Sequence, residues 1–108
     1  MKNKEIIVAL NNVATFQKKQ QEKGTLLDVK GQYYLKKNRD ELLNAYKPYE
    51  ETMKEIKDNE ELSEDEKNEQ IKELLEVEVE ISIQKIGLDN LKDGIVVEEI
   101  DMLEFMLD

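Results

Sequence analysis

A run of apolar residues with helical spacing constrains the fold of this chain more than any other feature of its sequence. Intervals of 7, 4, 3, 4 and 3 bring these residues to one face of a long helix, as in a coiled coil. Asp28 is suited to cap the start of this helix. Pro48 inside it predicts a kink, with a complete break as the alternative. The apolar residues are Leu35, Leu42, Tyr46, Tyr49, Met53 and Ile56.

The first 24 residues predict a shorter helix that pairs with the long one. With Asn3 as its N-cap, this helix extends to about Gln21, and Gly24 then stops it. Residues 24–28 form a short connection, so the two helices are expected to pack antiparallel as a hairpin. The apolar face of the first helix carries Ile6, Leu10, Val13 and Phe16.

The hydrophobic period changes in the second half of the chain. Ser63 and Glu66 form a capping box for a third helix that runs to about Glu76. Residues 77–83 then alternate between apolar and polar, which predicts a half-buried strand with an acidic outer face. A lone strand needs a partner, and three remain open: residues 25–30, residues 94–97, or the same strand of a second copy.

A last helix is predicted at about 97–107. Its segment Leu103–Leu107 is apolar nearly all round, so it must be buried in the domain or in a partner. The expected fold class is α+β and mainly helical: an antiparallel long-helix hairpin plus a third helix, one short strand and a C-terminal helix. We expect a single domain over residues 1–108. The lone strand and the apolar last helix predict a homo-oligomer.

The side chains that the chain lacks exclude several kinds of chemistry. Without Cys or His among its 108 residues, it has no thiol nucleophile, Ser-His-Asp triad, Cys/His zinc site or disulfide. No glycine-rich phosphate loop is present, and residues 58–69 fail as a calcium loop because Leu62 and Ser63 occupy two essential positions. We expect no enzymatic activity, no cofactor and no metal.

The sequence also carries no membrane signal. No apolar run reaches the roughly 20 residues of a membrane span, and the N-terminal residues lack a signal-peptide pattern. We therefore expect a cytoplasmic protein without a membrane partner.

Charge is distributed very unevenly along the chain. Residues 1–49 carry ten basic and five acidic side chains, whereas residues 50–108 carry six basic and 21 acidic ones. The whole chain has a net charge of −10. This division indicates either a local anion-binding surface on an acidic body, or two halves that neutralise each other in the fold.

The strongest candidate site lies near the start of the long helix. Lys30, Tyr33 and Lys37 stand at i, i+3 and i+7, which places them on one face. Asn38 lies beside this face and Arg39 one step further. Together these five residues can grip a phosphate or a nucleotide near a helix N-terminus. In the competing interpretation the tyrosine belongs to the core and the lysines are merely solvated.

A second candidate is the dense acidic surface between residues 50 and 69. Rows of carboxylates can imitate a nucleic-acid backbone and occupy the basic cleft of another protein. The competing interpretation is an ordinary solubilising face, and direct nucleic-acid binding is not expected at this net charge. The carboxylates are those of Glu50, Glu51, Glu55, Asp58, Glu60, Glu61, Glu64, Asp65, Glu66 and Glu69.

Three short motifs resemble a family of small phage proteins from Gram-positive siphophages and prophages. They are Lys30-x-x-Tyr33-x-Leu35-x-Lys37-Asn38, Glu78-Val79-Glu80-Ile81-x-Ile83, and Leu103-Glu104-Phe105-Met106. The resemblance implies a phage or prophage origin, a location in the host cell, and a helical pair followed by an acidic segment, a short strand and a last helix. The family provides no activity that could be carried over to this chain.

Three functions are compatible with these patterns. The leading hypothesis is a binding protein that counters a bacterial defence system by sequestering an anionic nucleotide signal with Lys30, Tyr33, Lys37, Asn38 and Arg39. The alternative is an acidic inhibitor that binds a host defence protein as a nucleic-acid mimic. The third is a phage assembly or tail accessory protein that docks through its C-terminal helix.

Overall fold

The structure is a computed structural model that describes all 108 residues, and it is built mainly from helices. Helices α1 to α4 span Asn3–Lys23, Val29–Asp58, Glu64–Glu76 and Val97–Met102, and short 3-10 turns lie at Leu88–Asn90 and Glu104–Met106. The expected helical character is confirmed. The structure contains no sheet, and its only β-type contacts are three isolated bridges.

Helix α1 starts one residue earlier than the sequence predicts. Its N-cap is Lys2, because the Glu5 carboxylate reaches back and accepts a hydrogen bond from the Lys2 backbone amide at 2.7 Å. Asn3 lies inside the helix, where its buried side chain donates to the Leu74 carbonyl at 2.8 Å. The helix ends at Lys23, and Gly24 follows as its C-cap with a φ of 91°, a conformation that favours glycine.

Helix α2 is continuous over 30 residues, about 45 Å at the usual helical rise. Asp28 caps it as predicted, and its carboxylate accepts a hydrogen bond from the Gly31 amide at 2.8 Å. Gly31 is buried where a Cβ would come within 2.9 Å of Leu27 Cβ, so the tight connection requires a glycine there. The alternative of a complete break at Pro48 is wrong, since the helix continues through it.

The core lies between the α1–α2 hairpin and the C-terminal segment. Ile6, Val13 and Phe16 of α1 and Leu35 and Leu42 of α2 are fully or almost fully buried. They belong to one cluster with Leu103 and Met106. The apolar C-terminal residues are therefore buried inside the domain. The predicted last helix at 97–107 is shorter, because α4 ends at Met102 and a 3-10 turn follows.

The strand predicted at 77–83 is not present, and this segment is extended without being part of a sheet. Its alternation is retained in the burial pattern, since Val79, Ile81 and Ile83 pack against the core while their polar neighbours point outward. Its backbone pairs with another backbone segment only at its beginning, where Val79 N donates to Met1 O at 2.8 Å and Asn3 N donates to Val77 O at 3.1 Å. Neither residues 25–30 nor residues 94–97 are its partner.

The second half of α2 projects beyond α1 and packs against α3. The molecule is accordingly elongated, with extents of 54 × 26 × 18 Å. No residue of α3 is fully buried, and at the tip the Lys67 ammonium donates to the Lys57 carbonyl at 2.8 Å. Ser63 caps α3 as predicted, with hydrogen bonds to Glu66 in both directions. We call residues 50–69 the acidic arm.

Candidate functional site

Lys30, Tyr33 and Lys37 share one exposed face of α2, as their spacing predicts. The Tyr33 side chain is 61% exposed, and both lysines are exposed. The Lys30 ammonium lies 5.6 Å from the centre of the Tyr34 ring, and the Tyr33 and Tyr34 rings are 5.9 Å apart. None of the three principal depressions of the surface is lined by these residues.

The N-terminus of α2 is already occupied by a carboxylate. One oxygen of Asp28 accepts from the Gly31 amide at 2.8 Å, and the other accepts from the Asn90 side chain at 3.0 Å. These two hydrogen bonds, first that of Asn90 and then that of Gly31, hold the pKa of Asp28 below its usual range. A phosphate at this helix end would compete with Asp28 and be repelled by its charge.

Asn38 does not join the lysines, because it is fully buried on another side of α2. Its Nδ2 donates to the Gln84 carbonyl at 2.9 Å, and its Oδ1 accepts from the Gln84 amide at 2.8 Å. The side chain thereby provides for the extended segment the two hydrogen bonds that a neighbouring strand would supply. Its polar groups are used within the fold and face away from Lys30 and Lys37.

Arg39 lies in a groove between α1 and α2, also apart from the lysines. The groove has a volume of about 460 Å³ and is lined mainly by apolar side chains. The Arg39 Nε is buried without a hydrogen-bond partner, and the nearest carboxylate is that of Asp40 at 3.8 Å. The structure therefore brings Lys30, Tyr33 and Lys37 together and places Asn38 and Arg39 elsewhere.

The acidic arm concentrates charge on a thin part of the molecule. It carries ten acidic and three basic side chains, a net charge of −7, and all ten acidic residues are exposed. Only Glu64 and Glu69 approach a cation within 4 Å, through Lys67 at 3.9 Å and Lys72 at 3.7 Å. The remaining eight carboxylates form no ion pair, and among them Glu66 accepts a hydrogen bond from the Ser63 amide.

Two carboxylates that the sequence analysis did not identify form ion pairs with distant parts of the chain. Glu99 is only 2% exposed and accepts from the Lys23 ammonium at 2.9 and 3.1 Å, which ties the end of α1 to α4. Glu76 accepts from both Lys2 and Lys4, and these hydrogen bonds lower its pKa to about 2. Because these partners lie more than 70 residues apart, no local spacing could have indicated any of these pairs.

The structure holds no group of three Asp or Glu side chains placed to bind a metal ion. None of its helices combines the length and apolar content that crossing a membrane requires. Comparison of the chain with models of known protein families, with curated proteins and with solved structures gave no match.

Proposed function

We propose that this chain is a phage-encoded, non-enzymatic binding protein that inhibits a basic host defence protein by imitating nucleic acid with its acidic arm. The observation that carries the proposal is the exposure of all ten arm carboxylates, eight of them without an ion pair. The phage origin and the defence target rest on the resemblance described above.

The charge density of the arm supports this function. The nine residues from Glu50 to Asp58 rise about 14 Å along α2. Helix α3 packs against α2, and its first turns are joined to this part by the hydrogen bond from Lys67 to the Lys57 carbonyl. A net charge of −7 over this length and the tip amounts to one negative charge per roughly 2–3 Å. Duplex DNA carries about one per 1.7 Å, so a cleft that binds DNA would meet a comparable field on the arm.

The experiment compares two variants with equal net charge. In the arm variant Glu60, Glu61, Glu64 and Asp65 are changed to Gln, Gln, Gln and Asn. In the control variant the exposed residues Glu80, Glu98, Asp101 and Glu104 are changed to Gln, Gln, Asn and Gln. Immobilised wild-type protein is first used to capture host proteins at low salt, and the proteins released by high salt are tested for nucleic-acid binding.

We expect to capture a host protein that binds DNA or RNA. The wild-type chain should displace the nucleic acid from this host protein. The control variant should displace the nucleic acid as well as wild type, whereas the arm variant should do so at least about tenfold less well, because each lost charge contact weakens a salt-dependent complex. Equal displacement by the two variants would contradict the proposal.

Sequestration of an anionic nucleotide is the second candidate, and the exposed Tyr33 ring between Lys30 and Lys37 favours it. Stacking of a nucleotide base on such a ring contributes about 1–3 kcal/mol to binding. The two neighbouring ammonium groups can pair with the phosphates of the same nucleotide. Wild-type protein is heated with a panel of cyclic and linear nucleotides. A bound nucleotide at a hundredfold excess over its dissociation constant stabilises the fold by about 2.7 kcal/mol.

Lys37→Glu tests this site directly, because Lys37 is exposed and its substitution leaves the core intact. The variant should lose the thermal shift given by any nucleotide that stabilises wild type, while retaining the helical circular dichroism spectrum. An unchanged shift would exclude this face as the binding site.

The third function, docking through the C-terminal helix, is not proposed, because Leu103 and Met106 are buried in the core.

A further inference from the structure

The groove that holds Arg39 is an apolar face of the hairpin with nothing packed on it. Ile7 and Leu10 of α1 and Leu43 and Tyr46 of α2 line it, and Leu43 remains 47% exposed. The opposite side of the same two helices carries the core residues that pack against the C-terminal segment. The hairpin is thus apolar on two sides, and the chain itself covers one of them.

The residues along this face of α2 are complementary to themselves. Arg39, Leu43, Tyr46 and Glu50 follow at intervals of 4, 3 and 4, so they form one line on the helix. When two α2 helices pack antiparallel about the midpoint between Leu43 and Tyr46, Leu43 meets the partner's Tyr46 and Arg39 meets the partner's Glu50. This midpoint lies close to the middle of α2 itself, so the two helices overlap almost completely.

The two-fold axis that passes through this midpoint of α2 also pairs residues of α1. The side chains of Gln20 and Gln32 are hydrogen-bonded near the connection, which fixes the level of one helix against the other. Twelve residues further along each helix lie Val8 and Asn44. Val8 stands between Ile7 and Leu10, and Asn44 stands between Leu43 and Tyr46. One two-fold axis therefore also brings Ile7 against the partner's Leu10.

We propose that two copies of this chain associate through the groove as a symmetric dimer, with a four-helix centre and an Arg39–Glu50 ion pair at each end. The dimer supplies what each residue lacks in the single chain. The Arg39 side chain is 40% exposed and has only the Asp40 carboxylate nearby, at 3.8 Å, and Glu50 is exposed without an ion pair. Because the α2 helices run antiparallel, the two acidic arms project from opposite ends.

Charge reversal at either end tests the pairing. In a dimer of the Arg39→Glu variant, two carboxylates face each other at each end. In a dimer of the Glu50→Arg variant, two cations face each other at each end. Each variant should therefore dimerise at least about tenfold more weakly than wild type in sedimentation equilibrium. An equimolar mixture of the two variants restores an opposite-charge pair at both ends, so the mixture should dimerise about as well as wild type.

Two further variants separate the interface from the fold. Leu43→Glu should abolish the dimer, whereas Val8→Glu should retain it, because Val8 is 58% exposed but lines a different depression of the surface. Circular dichroism verifies that each variant is folded. A monomeric wild type, or a mixture that stays monomeric, would overturn the proposal. A dimer that every variant leaves intact would also overturn it, and this is the result expected if two copies pair through residues 80–83 instead.

Discussion

Asn38 joins α2 to the extended segment through both ends of its side-chain amide. Its hydrogen bonds to the amide and carbonyl of Gln84 are 2.8 and 2.9 Å long, and its side chain is completely buried. Asn38→Ala leaves both Gln84 groups unpaired, so we expect the free energy of unfolding to fall by about 1–3 kcal/mol in urea denaturation. Lys37→Ala, on the exposed neighbour, should change it by no more than about 0.5 kcal/mol. Equal effects of the two variants would contradict this role for Asn38.

The buried carboxylate of Glu99 predicts a pH dependence of stability. The hydrogen bond from Lys23, followed by that from the Val96 amide, lowers the pKa of Glu99 below the usual 4.5. The unfolded chain therefore takes up this proton at a higher pH than the folded chain. The stabilisation is present above about pH 4.5 and is lost as the pH falls toward the folded-state pKa.

We expect Glu99→Gln to melt at a lower temperature than wild type at pH 7. Its melting temperature should also fall less steeply than that of wild type between pH 5 and pH 3, because the linked proton is gone. Glu98→Gln is the matched control, since Glu98 is exposed and unpaired, and it should retain the wild-type pH profile. A steep acid decline that persists in Glu99→Gln would show that other carboxylates control it.

The exposed site could be predicted from spacing only where the residues share a helix face. Lys30, Tyr33 and Lys37 do so, and the structure places them together. Each further residue turns the helix by about 100°, so Asn38 and Arg39 lie on other sides of α2. Which of these sides is buried depends on residues from other parts of the chain, since Asn38 contacts Gln84, 46 positions away, and Arg39 lies against side chains of α1. Local spacing does not contain that information.

At the scale of elements, the extended segment 77–83 shows what an alternating pattern measures. Val79, Ile81 and Ile83 are packed against the core, so the alternation correctly indicates a segment with one buried face. It does not indicate a strand partner, because half-burial and ladder hydrogen bonding are separate properties. Here pairing is limited to residues 1–3 at one end and to the Asn38 side chain at the other.

Helix α2 contains a proline at an exposed position in its interior. Pro48 has no amide hydrogen to donate, so the carbonyl four residues earlier lacks its usual partner. Such a proline costs about 3 kcal/mol relative to alanine, partly offset because proline also restricts the unfolded chain. We expect Pro48→Ala to raise the free energy of unfolding by about 1–3 kcal/mol in urea denaturation.

The exposed neighbour Lys47 provides the control for this prediction. Lys47→Ala changes a side chain without restoring any backbone hydrogen bond, so its effect should remain within about 0.5 kcal/mol. A loss of stability in Pro48→Ala would mean that the ring itself makes a contact that the helix needs.

At the scale of the whole molecule, the buried core and the dense negative charge lie in different regions. The core unites α1, the first half of α2 and the C-terminal segment, whereas α3 contributes no fully buried residue. The arm also carries a net charge of −7, so its carboxylates repel one another. Segments with little burial open locally at a lower free energy than the whole fold. Helix α3 is therefore expected to open without global unfolding.

Amide hydrogen exchange measures this division directly. Amides of α3 should exchange faster than those near Val13 and Phe16 of α1, which are buried. Raising the ionic strength from 0.01 to 0.15 M shortens the Debye length from about 30 Å to about 8 Å. Screening of the repulsion between arm carboxylates should then slow exchange in α3, while the amides of α1 change little. Equal protection of α1 and α3 at both ionic strengths would mean that the arm unfolds only together with the core, and the arm would then meet a partner as a rigid part of the whole domain.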